Sequence, residues 1–130
     1  MPDIIIHKQW IHNATAGLHH ALRGDLVLLK EQVKQGIAQL WEINSEIGKS
    51  WMISRVEEHN DQRELVICCY EGCDLKTVAP IIYKCAECQG FTSIRFHTQR
   101  KGLNRLVVDL GFTPYETVYK KQLNNIQEVA

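Results

Sequence analysis

The spacing of apolar residues changes along the chain, and each change marks a boundary between elements. Ile11, Ala14, Leu18 and Leu22 recur at helical intervals and predict a helix over His7–Leu22. Gly24 stops it. Asp25 is placed to cap a second helix, Leu26–Gln35, whose Leu26, Leu29 and Val33 share a face and whose end is set by Gly36. From Ile37 the pattern alternates: Ile37, Gln39, Trp41 and Ile43 lie on one strand face, and Ala38, Leu40, Glu42 and Asn44 on the other. Asn44 to Lys49 supplies turn residues, Ser50–Glu57 is a second strand, and Glu58–Arg63 is a polar connection. Glu64–Tyr70 is a third strand whose Leu65 to Cys69 are apolar without alternation, as in a central strand covered on both faces. These three strands read as an antiparallel meander.

Asp74–Gln89 is the longest predicted helix, with Leu75, Val78, Ile82, Cys85 and Ala86 at helical spacing and Asp74 as N-cap. Pro80 requires either a start at Thr77 or a kink in a helix that begins at Asp74. Gly90 closes it and Phe91–Phe96 is a short strand. A strand, a helix and a strand form a crossover, so the strands either side of this helix are expected to be parallel. A helix over Arg100–Leu110 with Gly111 at its end, a last strand over Thr117–Leu123 and a tail over Asn124–Ala130 complete the chain. The expectation is one domain over residues 1–130: a helical pair (1–35), the meander (36–72), then crossover helix, strand, helix and strand (73–123). The class is α/β, a mixed, mostly antiparallel sheet with helices on both faces.

Composition narrows the function. The 130 residues carry 15 Lys plus Arg and 15 Asp plus Glu, so net charge gives no bulk attraction to nucleic acid or anionic membrane. A neutral surface favours association, so a protein partner or a homo-oligomer is expected. No apolar run is long enough to span a membrane, and the first residues do not read as a signal peptide. The five cysteines, Cys68, Cys69, Cys73, Cys85 and Cys88, all fall in the second half, which fits a reducing, cytoplasmic setting rather than a disulfide framework.

The segment RKGLNRLVVDLGFTPYETVYKKQL, from Arg100, resembles the end of GCN5-related N-acetyltransferase domains, where a helix ends in Leu-Gly-Phe and a final strand in Tyr-x-Lys. Here these are Leu110–Gly111–Phe112 and Tyr119–Lys120–Lys121. The element order is similar over Gly36–Leu123. The resemblance implies a fourth and fifth strand that splay apart, with acetyl-coenzyme A in the split. Within the superfamily the chain looks like small phage and prophage proteins, through Gly72-Cys73-Asp74 before the crossover helix and Ile94 followed by Arg100 after it, the latter spacing one residue longer. That likeness implies a virion as the alternative location to the cytoplasm.

The same comparison implies a weakened coenzyme site. The family cradles pyrophosphate with Arg/Gln-x-x-Gly-x-Gly/Ala, because glycine lets the backbone approach and the next helix offers free N–H groups. The matching residues are Tyr70-Glu71-Gly72-Cys73-Asp74-Leu75, with one glycine and two carboxylates; Lys76 is the nearby compensation. Gly72, Cys73, Asp74 and Leu75 are therefore the coenzyme-binding candidates. Val107 stands where the family commonly has the tyrosine that protonates the leaving thiolate; Tyr115 and Tyr119 are possible substitutes, and Tyr119 reads better as an aromatic buried in the last strand. Glu57, Glu64 and Glu71 are candidate general bases. Glu71 is nearest the expected cleft, and His97, at the end of the splayed strand, is the histidine to watch. The reading is a catalytically silent acetyltransferase-like fold with no cofactor, acting as an interaction or structural protein. The alternative is an active N-acetyltransferase using acetyl-coenzyme A, with Glu71 and His97 in the catalytic roles.

Other residues have structural readings. Cys85-x-x-Cys88, with Cys69 and Cys73, has zinc-like spacing, but Ala86 and Glu87 lie between the pair in a helix, so these are core cysteines and no metal is expected. Arg95, His97, Arg100, Lys101 and Arg105 form a basic cluster that reads as solvated surface. Trp41 and Trp51 are expected to face each other across the first hairpin.

Overall fold

The computed structural model describes residues 3–22, 25–96, 109–113, 119, 121 and 123. Contacts divide the chain into two compact units, Met1–Gln99 and Arg100–Ala130. In the first, the order is β1 (Asp3–His7), α1 (His12–Gly17), α2 (His19–Leu22), α3 (Leu26–Lys34), β2 (Ala38–Ser45), β3 (Gly48–His59), β4 (Gln62–Glu71), α4 (Leu75–Cys88) and β5 (Ser93–Phe96). The strands form one five-stranded sheet in the order β1-β2-β3-β4-β5. The pairs from β1 to β4 are antiparallel and β4–β5 is parallel. The mixed, mostly antiparallel sheet expected from the sequence is the one observed.

Helices cover both faces. On one, Trp41, Ile43, Met52, Leu65 and Ile67 pack against Val78, Ile82 and Ala86 of α4. On the other, Leu40, Trp51 and Ile53 pack against Ala14, Leu18, Leu22 and Val33 of the N-terminal helices. Burying an aliphatic or aromatic side chain contributes about 1.5–3 kcal/mol, so these two clusters are what hold the sheet between its helices. Asp74 caps α4 by accepting from the Lys76 N–H at 3.1 Å, and the helix begins at Leu75 and runs through Pro80 rather than starting at Thr77. Among the described residues no helix is long and apolar enough to cross a membrane.

The N-terminal region departs from the sequence expectation. Asp3–His7 is a strand along β2, and the helix expected over His7–Leu22 is two short ones broken at Leu18. Ile4, Ile5 and Ile6 are β-branched, which favours the extended form where a partner edge is at hand. Asp25 stands at the start of α3 but its side chain makes no capping hydrogen bond. The two tryptophans do not face each other. The hairpin closes at Ser45 and Gly48, which pairs Trp41 with Met52 and Trp51 with Glu42, so the indoles lie on opposite faces. A one-residue difference in register exchanges faces.

In the second unit, Gly111 has φ +94°, the left-handed conformation expected of glycine after a helix end. Tyr119 is 91% exposed, which overturns the reading of a buried aromatic. The Arg100–Leu110 helix, except its last two residues, and most of the Thr117–Leu123 strand lie outside the described residues, as do His97 and Val107.

Candidate functional site

The expected coenzyme loop joins the C-terminal end of β4 to α4. Gly72 has φ +146°, and a Cβ there would lie 2.5 Å from the Ser50 Cα. The glycine is thus required by the loop's own packing against β3. Ser50 Oγ accepts from the Cys73 N–H at 2.9 Å, and the Tyr70 hydroxyl reaches the Cys73 carbonyl at 2.7 Å and Ser50 Oγ at 3.0 Å. Burial raises the Tyr70 pKa, so the phenol stays protonated as this network needs. The Cys73 thiol lies against the β2–β3 turn, 3.5 Å from the Ile47 carbonyl. Leu75 begins α4 and packs on the core.

Three donors at the start of α4 are bonded within the protein. The Lys76 N–H is held by Asp74 Oδ1, and the Thr77 and Val78 N–H groups by the Asp74 carbonyl at 3.1 and 3.2 Å. Phosphate binding at a helix start uses such N–H groups and the positive end of the helix dipole. Here a carboxylate of the protein already occupies that position. Glu71 is committed too: its Oε1 accepts from the Ala21 N–H of α2 at 2.6 Å. This carboxylate ties the N-terminal helices to the sheet. The Cys73, Lys76, Thr77 and Val78 N–H groups of this segment are thus all bonded to groups of the protein itself.

Glu57 and Glu64 sit at the other end of the sheet. They face each other across β3 and β4, and Arg95 of β5 pairs with both, with Glu64 at 3.3 Å. Seven residues of strand separate Glu64 from Glu71, roughly 23 Å at strand rise. Neither is a base at the loop, and Arg95 of the expected basic cluster is an ion-pair partner.

β4 carries an irregularity where the ladder passes from Ile53–Cys69 to Ser54–Ile67, leaving Cys68 as the extra residue. The parallel pairing with β5 spans Glu64–Ile67, just before this point. Bulges of this kind bend a strand and commonly lie beside functional sites. Burial raises the pKa of both neighbouring thiols, that of Cys69 to about 12, so neither is a thiolate at neutral pH. Cys85 and Cys88 stand near the end of α4; Cys85 Sγ lies 3.2 Å from the Gln89 side-chain amide. Among the described residues no three His, Cys, Asp or Glu side chains come together as a metal would require.

One polar cluster had no sequence signal. Glu42 is almost fully buried on β2. Its carboxylate meets His7 Nε2 at 2.9 Å, Lys49 Nζ at 3.0 Å and Asn44 Nδ2 at 3.2 Å. Burial pushes its pKa up, but these donors outweigh burial and bring it down to about 2. His7 stacks on Trp51 with ring centroids 6.2 Å apart, and Lys49 lies over the same indole at 5.7 Å. Register places Glu42, Trp51 and Glu71 in one row across β2, β3 and β4. An ionised carboxylate thus flanks Trp51 on one side and Glu71 stands on the other.

No family model matches this chain and no curated protein matches it. Solved structures do match. A ribosomal-protein-alanine N-acetyltransferase from Brucella melitensis biovar Abortus 2308 is 13% identical over 95% of this chain and 100% of its own, with TM-score 0.68. A protein described as a probable acetyltransferase is 8% identical over 95% and 99%, with TM-score 0.63. A transcriptional regulator from Bacillus halodurans C-125 is 12% identical over 93% and 100%, with TM-score 0.62. The chain shares its fold with these solved proteins, two of them described as acetyltransferases. At these identities the likeness is one of fold, and the activities named belong to those proteins.

Proposed function

We propose that this chain uses the acetyltransferase fold for protein interaction rather than catalysis. The observation that supports this is the closure of the β4–α4 loop on itself. Gly72 is spent on Ser50, the Cys73 N–H is taken by Ser50 Oγ, and Asp74 occupies the helix start where a pyrophosphate would bind. The resemblance of Gly72-Cys73-Asp74 to phage and prophage proteins extends the proposal to a phage or prophage component, in the cytoplasm or in a virion. A gene among head or tail genes would support that extension, and one among drug-resistance genes would count against it.

Titration calorimetry with acetyl-coenzyme A tests the proposal. The expected result is no saturable binding at about 0.1 mM; a Kd near 10 μM, about −6.8 kcal/mol, would overturn it. An active N-acetyltransferase is the second reading, favoured by the β4 irregularity at Cys68 next to the parallel β4–β5 pair. Coenzyme binding would make that reading primary and Glu71 and His97 the first residues to substitute.

A further inference from the structure

β1 ends the sheet, and among the described residues no strand lies on its outer side. Its sequence is Asp-Ile-Ile-Ile-His, and its pairing with β2 runs without interruption from Asp3–Asn44 to His7–Leu40. Natural edges are blunted by lysine, proline or a bulge. Here Pro2 and Lys8 flank the strand and none of the three interrupts it. Ile5 and Ile6 are 41% and 37% exposed, and Asp3 is exposed beside them.

We propose that β1 is a self-pairing edge, and that its partner is the β1 of a second copy of this chain, antiparallel about a two-fold axis at Ile5. Complementarity selects this register. It overlaps all five residues, sets Ile5 against the partner's Ile5, Ile4 against the partner's Ile6, and Asp3 against the partner's His7 at both ends. His7 uses Nε2 for Glu42, so Nδ1 is the ring atom that meets the partner's Asp3. Asp3, Ile5 and His7 project to one face and Ile4 and Ile6 to the other. The acid–histidine pairs and the central Ile5 pair therefore lie on the face of the N-terminal helices, and the Ile4–Ile6 pairs on the α4 face. The two five-stranded sheets become one continuous sheet, as in strand addition to an open edge. This inference is independent of whether the β4–α4 loop takes a coenzyme.

Because Ile5 meets itself, the register has a direct test. Sedimentation velocity of the full chain from about 1 to 200 μM should show a concentration-dependent dimer. Ile5→Lys and Ile5→Glu each set like charges opposite one another, and each should raise the dimer dissociation constant about tenfold or more. An equimolar mixture of the two should restore the dimer, since the mixed pair is Lys opposite Glu. A chain that stays monomeric throughout, or a dimer that both variants retain, overturns the proposal. Hydrogen exchange on the unaltered chain gives a second measurement that needs no variant to fold. The outward β1 amides should gain protection with concentration, and exchange that ignores concentration overturns the proposal as well.

Discussion

On the α4 face of the sheet, Trp41, Ile43, Met52, Leu65 and Ile67 meet Val78, Ile82 and Ala86, and polar groups enter as neutral hydroxyls: Ser54 holds the Trp41 Nε1–H at 2.8 Å, and Ser50 and Tyr70 hold the loop. On the other face, carboxylates share the space with the core. Glu42 is bound by His7, Lys49 and Asn44, Glu71 holds the Ala21 N–H, and Trp51 lies between them beneath Gly17. One face is fastened by burial, which is non-directional and tolerates small shifts. The other is also fastened by charged hydrogen bonds between elements far apart in sequence, which fix how α2 and β1 sit on the sheet. Substitutions on the α4 face should change stability without regard to pH, and substitutions on the other should change its pH dependence.

The largest effect should come from Trp41→Ala. The side chain is fully buried, and its loss leaves a cavity and strips Ser54 Oγ of a donor. Unfolding free energy measured in urea should fall by about 4 kcal/mol. A loss below about 1 kcal/mol would mean that the α4 face is not the main core. Next comes Gly17→Ala. A Cβ at Gly17 would lie 2.1 Å from the Trp51 Cδ1, so α1 or the indole must move. Overpacking of this kind should cost about 2 kcal/mol, and Trp51→Leu in the same chain should recover part of it. Full additivity of the two substitutions would show that helix and indole do not touch.

The same contrast governs how far the sequence could be read. The meander, α4 and the parallel crossover were legible because strand alternation, a continuous apolar run and helical spacing are local signals. The N-terminal strand was not, since three isoleucines in a row fit helix and strand alike and only pairing with β2 decides. The tryptophans were placed on one face because nothing in Asn44–Lys49 says which two residues form the tip; Glu46 and Ile47 do, and that sets the register. In the candidate site, Asp74 carried its role as a cap in its residue type, whereas Gly72, read as room for a coenzyme, is needed by the packing of the loop on Ser50, a contact 22 residues away that residue type alone does not show. Glu71 looked like a free base because its partner lies 50 residues earlier, and Glu42 showed no signal because His7 is 35 residues away.

The smallest effect is also the most specific to the N-terminal face. Glu42 has a folded-state pKa of about 2 against an ordinary 4.5. Between these values the unfolded chain takes up a proton that the folded chain does not, so acid favours unfolding. The stabilisation is complete above about pH 4.5 and is lost as pH falls through about 2. Lys49 is half exposed, so solvent screens its share, and a contribution on the order of 1 kcal/mol is expected. Urea midpoints from pH 7 down to 2 for the unaltered chain and Glu42→Gln should therefore differ most above about pH 4.5 and draw together in acid. Raised salt should shrink the gap by weakening the half-exposed Lys49 pair more than the part-buried His7 contact. Two curves that stay parallel across this range would remove Glu42 from the contacts that set the N-terminal face, and with it the electrostatic half of the contrast between the two faces.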